Sequence, residues 1–323
     1  MIVTDIIWID GKGKRRRGFY MDGFLAENLA NIPKHQKKDW DVIGIVSGSG
    51  KVRVAKSTKS FQVAFFVAWV RAGGVMNFDR NSLDYGKVIK SPTEKIEFNL
   101  DHVIFGIDNL MKAAHESPKM SIFVLDEEEG LGAKSQMMNI NRQMERFLQE
   151  CGVYNHFIIV VLPDFFSLNK EFATGRSNFL INTYIGDRFQ RGFFNFYSER
   201  KKELLYGFGK KKIGNFARYT STTPDFHGRF TKWLPFSREK YEQKKRDALK
   251  KRRVGQREVK IMDQRDCLFF LLKKHTDLTH QEIVDELGDF LGKKISIETI
   301  KMSLIRLNKL IEVRDQLKEL EKS

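Results

Sequence analysis

The sequence predicts an α/β fold built on a mainly parallel sheet. Three observations carry that expectation. Apolar runs of strand length, Asp41 to Val46 and Phe157 to Leu162 among them, are too uniformly Ile/Val-rich to face water on either side. Helical patterns separate them, as strand–helix–strand units require. A tight, glycine-bearing turn joins the first of these strands to an apolar helix, Thr58 to Val70.

That turn reads Gly50-Lys-Val-Arg-Val54-Ala55-Lys56-Ser57-Thr58. It matches a phosphate-binding loop at every position except Ala55, where a glycine is usual. Amides of such a loop, opening onto a helix N-terminus, wrap phosphate oxygens. Lys56 is the candidate for the β- and γ-phosphates and Ser57 the candidate hydroxyl for Mg²⁺. Gly48-Ser-Gly-Lys51 is rejected as a second loop, because Val52 stands where the metal-binding hydroxyl belongs. The Cβ of Ala55 is expected to crowd the turn or the phosphates.

The partner signal is Ser121-Ile-Phe-Val-Leu-Asp126-Glu127, an apolar strand closing on two adjacent carboxylates. Asp126 is the expected second metal residue and Glu127 the expected base for an attacking water. Together the two motifs ask for ATP and Mg²⁺.

Composition sets the outer bounds. The chain has 323 residues, 41% hydrophobic and 30% charged, ordinary values for a folded protein of one large or two smaller domains. No apolar stretch reaches the roughly 18 residues of a membrane span. The N-terminus lacks signal-peptide features, and the two cysteines form no disulfide or metal framework. A cytoplasmic, membrane-free setting is expected. The formal net charge of +16 favours a polyanionic partner, DNA first.

Five segments are expected. Residues 1–40 form an N-terminal extension with a short strand (Ile6 to Ile9), a basic turn and a helix from Asp22 to Asn31. Residues 41–197 form the nucleotide domain, with further helices near Leu100 to His115 and Met137 to Cys151, and a strand from Phe179 to Ile185. Residues 198–236 read as a β-rich extension; from Phe193 to Phe236 aromatics interleave with Lys and Arg, which suits base stacking and phosphate contact or an antiparallel β extension whose rings form a satellite core. Residues 237–262 are a basic linker or helix; Arg238 to Lys260 holds eleven Lys/Arg against four acids. Residues 263–323 read as a helix-turn-helix-like unit. In it, Thr279-x-x-Glu282 is a capping box, and a third helix carries Thr299, Lys301, Met302, Ser303 and Arg306 on or near its exposed face. The nucleic-acid candidates are Lys210, Lys211, Lys212, Lys250, Lys251, Arg252, Arg253, Lys301 and Arg306.

The ordered set of phosphate loop, Val124-Leu-Asp126-Glu127 and the Phe157 to Leu162 strand resembles the RecA-like P-loop ATPases. Within them it looks most like the FtsK/HerA group of DNA-pumping ATPases and their relatives in phages and mobile elements, including zonula-occludens-toxin-like proteins. The resemblance covers roughly residues 41–185. It implies a ring-forming homo-oligomer that hydrolyses ATP to move or package DNA. It also implies an arginine reaching the neighbouring subunit's nucleotide, with Arg176 the first candidate and Arg142 the second. Where such proteins end the next strand in a polar γ-phosphate sensor, this chain has Leu162-Pro163-Asp164, so the sensor is absent or supplied by Asp164 or Asn169. A nucleotide-dependent DNA-binding switch and an architectural DNA-binding protein with a degenerate site remain open as alternatives.

Overall fold

The computed structural model describes residues 7–9, 15–17, 20–48, 54–126, 153–211, 218–275, 278–291, 296–298, 300–305 and 308. The chain divides into two compact units, Met1–Glu242 and Gln243–Ser323.

The first unit is α/β. Two short strands, β1 (Ile7–Ile9) and β2 (Arg15–Arg17), pair antiparallel, so the basic turn of the sequence runs into a hairpin strand. Helices α1 (Gly23–Leu29) and α2 (Ile32–Gln36) follow. Asp22 caps α1 by accepting from the amides of Phe24 and Leu25 at 3.1 and 3.2 Å. Then come β3 (Val42–Ser47), α3 (Lys56–Arg71), and the hairpin strands β4 (Val75–Met76) and β5 (Val88–Lys90).

The sequence predicts a single helix from about Leu100 to His115; the chain instead breaks there in three. Leu100–His102 is one 3₁₀ turn, capped by Asn99, whose side chain accepts from the Asp101 amide at 2.8 Å. Val103–Ile104 is an edge strand, β6. Gly106, at φ 83°, turns the chain through a conformation other residues resist, and only then does α4 (Ile107–Glu116) begin.

Strands β7 (Ile122–Asp126), β8 (Phe157–Val161), β9 (Phe179–Tyr184), β10 (Phe193–Ser198) and β11 (Phe226–Arg229) complete the main sheet. Its order is β11-β10-β9-β3-β8-β7-β6. The five strands from β9 to β6 run parallel, while β10 and β11 add antiparallel. Both faces are covered, which is why β3, β7 and β8 are buried throughout. One face packs on α3, and α3 on α1 and α2. The other joins Ile43, Ile45, Leu125, Ile158 and Val160 to Leu110 of α4, Phe172, and Leu205 and Tyr206 of the next helix.

That next helix, α5 (Glu199–Lys211), corrects the expected β-rich extension. Lys202, Leu205, Tyr206 and Gly209 are its buried positions, a spacing of three to four that makes a helix face. The aromatic strands β10 and β11 are no satellite either. They lengthen the main sheet, with Phe196 stacked on Phe226 at 4.7 Å and on Phe179 at 5.6 Å.

A long helix, α6 (Arg238–His275), starts in the first unit and ends in the second. In the second unit α7 (His280–Leu291) opens with the predicted capping box. The Thr279 hydroxyl accepts from the Glu282 amide at 3.3 Å, and the Thr279 amide donates to the Glu282 carboxylate at 2.6 Å. Phe269, Ile283 and Ile300 form a small core from three helical segments, with Leu278, Val284 and Leu304 against it. Ser303, expected on the exposed face of the third segment, is buried: it lies one turn from Ile300 on the core side, while Lys301 and Met302 face solvent. Among the described residues no helix is long and apolar enough to cross a membrane.

Candidate functional site

β3 runs out at Ser47, and α3 begins nine residues later at Lys56. Of the loop between them, Gly48, Val54 and Ala55 are described; Gly50 lies outside the described residues. Ala55 is the N-cap of α3 and holds the left-handed conformation, φ 65° and ψ 32°. For a residue with a Cβ this costs about 1–2 kcal/mol. A glycine would adopt it freely, so the backbone at Ala55 is held under strain. Among the described residues no side chain caps α3, and its first turn carries no acid. Its leading amides and the positive end of its dipole therefore suit an anion.

Gly48 matters for closeness. A Cβ there would fall 2.4 Å from Val54 Cγ2 and 2.9 Å from Lys56 Cδ. The loop thus folds back on its own start, and the Lys56 stem crosses the end of β3. Sequence reasoning passed over Gly48 as part of a rejected motif. Its signal was its place, directly after the strand.

The second motif meets the first. Register places Val46, Val161 and Asp126 in one row across β3, β8 and β7, so Asp126 stands two strands, about 10 Å, from Val46. α3 spans that gap. The Ser57 hydroxyl donates to Asp126 Oδ1 at 2.9 Å, and Asp126 is 1% exposed. Thr58 is half-buried beside it in the first turn of α3. The other carboxylate oxygen, Oδ2, accepts from the hydroxyl of Tyr241. Tyr241 is in the first turn of α6 and its ring packs on Phe61 of α3, centroids 5.0 Å apart and edge-on. No motif contains Tyr241. The one hint was a lone aromatic inside a run of charges.

Between β3 and β9 lies a buried polar group that sequence reasoning also missed. Ser47 Oγ donates to Asn182 Oδ1 at 3.4 Å and sits 3.2 Å from the Tyr219 hydroxyl. Tyr219 donates to Asp164 Oδ1 at 3.1 Å and accepts from the Phe165 amide at 3.0 Å. Burial first, then the Asp164 carboxylate, push the Tyr219 phenol well above the ordinary tyrosine range. Asp164 therefore stands at the carboxyl end of β8, next to Ser47. Asn169 instead accepts from the Phe172 amide at 3.0 Å, at the head of the helical turn Glu171–Arg176.

Arg176 is exposed and not beside the loop. It precedes β9, and its near neighbour Asn178 exchanges hydrogen bonds with Ile43 at the start of β3. Within one chain Arg176 and the loop are at opposite ends of the sheet. Glu127, Arg142, Lys212, Arg306 and the helix expected from Met137 to Cys151 lie outside the described residues.

Among the nucleic-acid candidates, Lys210 folds onto Tyr206, donating to its hydroxyl and lying 4.6 Å from the ring centroid. Lys211 ends α5, Lys250 and Lys301 are exposed, and Lys251, Arg252 and Arg253 continue α6.

No family model, no curated protein and no solved structure matches this chain.

Proposed function

We propose that this protein is an ATP-hydrolysing motor acting on DNA, built on a RecA-like domain that assembles into a ring. One observation carries it: Ser57 and Asp126, assigned to one metal from two separate motifs, are hydrogen-bonded at 2.9 Å. The strand order supports it too, since both motifs leave the carboxyl ends of parallel strands, where ligands of such sheets sit.

The residues fit the groups the motifs ask for. A hydroxyl and a buried carboxylate are the hard oxygen donors that Mg²⁺ prefers. The close approach of Val54 and Lys56 to Gly48 and the N-terminal amides of α3 suit a phosphate chain. Ser57 and Asp126 would hold the cation, directly or through its water shell. Lys56 and the amides of residues 55–58 would bind and orient the phosphates. Bound Mg²⁺ supplies charge neutralisation on the phosphoryl oxygens. Glu127, next along the chain, would take the proton of the attacking water. Asp164 is the nearest of the two sensor candidates to the end of β3, and Arg176 would act only across a subunit boundary.

The net charge of +16 and the basic stretch of α6 support DNA as the partner. The test is ATP turnover with and without DNA, alongside size measurement with nucleotide present. Lys56→Ala should abolish turnover. Failure of the wild type to hydrolyse ATP under either condition would end the proposal. A slow switch that does not translocate has one observation in its favour: both oxygens of Asp126 are already held by protein hydroxyls. Displacement of a protein roadblock from DNA separates the two, because a switch leaves the roadblock in place.

A further inference from the structure

The hydroxyl of Tyr241 has no role in the mechanism above, yet it donates to the carboxylate that the metal would use. Three features make this contact more than incidental. Asp126 is buried, so an oxygen without a donor would be costly, and Tyr241 supplies that donor. The Tyr241 ring is fixed by Phe61 at 5.0 Å, Phe236 at 6.3 Å and Phe105 at 6.4 Å, joining α3, the start of α6 and the segment before α4. The turn that carries Tyr241 is itself closed: Ser237 accepts the Tyr241 amide at 3.2 Å through its carbonyl and the Lys240 amide at 3.3 Å through its hydroxyl. From that turn the same helix continues into the basic run 244–260.

We propose that Tyr241 is a latch, a positioning residue that holds Asp126 while the site lacks its cation and releases it when the cation is bound. This rests on the nucleotide site proposed above. Asp126 Oδ2 cannot keep a full hydrogen bond from Tyr241 and serve a metal's water shell equally well, because the two donors approach the same lone pairs. Loading the site therefore loosens the first turn of the basic helix. By linkage, whatever draws that turn away strengthens metal binding by the same factor.

Tyr241→Phe keeps the ring and removes the hydroxyl. A buried hydrogen bond to a carboxylate is worth roughly a tenfold change in an equilibrium constant. The variant should bind a fluorescent ADP analogue with a half-saturating Mg²⁺ concentration about tenfold lower than wild type. The independent readout is amide hydrogen exchange at residues 241–245. In the wild type, adding Mg²⁺ and ADP should speed exchange there; in the variant exchange is fast already and indifferent to nucleotide. A higher Mg²⁺ requirement in the variant overturns the latch, since the hydroxyl would then be preparing Asp126 for metal. Nucleotide binding that leaves wild-type exchange at 241–245 unchanged overturns it as well, and that measurement decides even where the variant fails to fold. A wild type that binds no nucleotide removes the proposed function and the latch together, whereas the two preceding results remove the latch alone.

Discussion

Replacing Lys59 by Met should stabilise the first unit, most strongly at neutral pH and below. Lys59 is in the second turn of α3 and fully buried. Its ammonium has no hydrogen-bond acceptor among the described residues, and lies 4.0 Å from the Phe194 ring centroid and 5.3 Å from that of Phe230. Burial pushes its pKa from 10.5 down to about 7, with the Asp22 carboxylate opposing the change. At about 1.4 kcal/mol per unit, that gap corresponds to a cost of roughly 5 kcal/mol at pH 7. The rings return about 1–2 kcal/mol of it. Met fills similar volume without a charge, so a net gain of roughly 3 kcal/mol is expected.

The sign with pH follows from proton counting. Below about pH 7 the lysine is charged in both states and its penalty is full. Between there and pH 10.5 the unfolded chain holds a proton the native state has lost, so wild-type stability rises with pH. All four tryptophans, Trp8, Trp40, Trp69 and Trp233, lie in the first unit, so their fluorescence in urea follows that unit alone. Lys202, pushed down to about 8 mainly by burial, adds a similar rise at higher pH. The comparison therefore belongs between pH 7 and 8. Wild type should gain about 1 kcal/mol more than the variant over that interval. A variant less stable than wild type at pH 7, or one whose advantage is the same at pH 7 and 8, would show that Lys59 has a partner this structure lacks.

Ala55→Gly relieves the left-handed strain at the head of α3 and should stabilise by about 1 kcal/mol, read as a rise of roughly 2–4 °C in the melting temperature of the first unit. A fall instead would mean that the loop does not hold this shape in solution. Changing Lys250, Lys251, Arg252 and Arg253 together to Ala should lower the slope of log affinity for DNA against log salt by roughly 3–4, measured by titration across salt concentrations. An unaltered slope would move the DNA contact away from α6.

The sequence made the sheet legible because its signals are dense and local. Continuous apolar runs at β3, β7 and β8, each of strand length, point to strands buried on both faces. Capping at Thr279 was likewise local chemistry, visible within four residues. Errors arose where two periods competed. Residues 199–211 lie in a stretch that mixes aromatic and basic side chains, yet their buried positions recur at three and four, and packing against Phe165 and Leu168 chose the helix. At 100–106 an apolar helical pattern was overruled by a capped turn and a glycine at positive φ.

The site divides along the same line. Each half of it was readable, since a loop or a strand end is contiguous in sequence, and their meeting through Ser57 and Asp126 followed from chemistry rather than from spacing. What stayed hidden were side chains whose role depends on where distant segments return. Tyr241 arrives from 115 positions away and Tyr219 from 172 positions beyond Ser47. Neither belongs to a motif, because a phenol can satisfy a buried carboxylate from any element that brings it within reach. Any regulation of the proposed chemistry should be sought at the hydroxyls of Tyr241 and Tyr219, since they touch the Asp126 carboxylate and the strand end without being part of either motif.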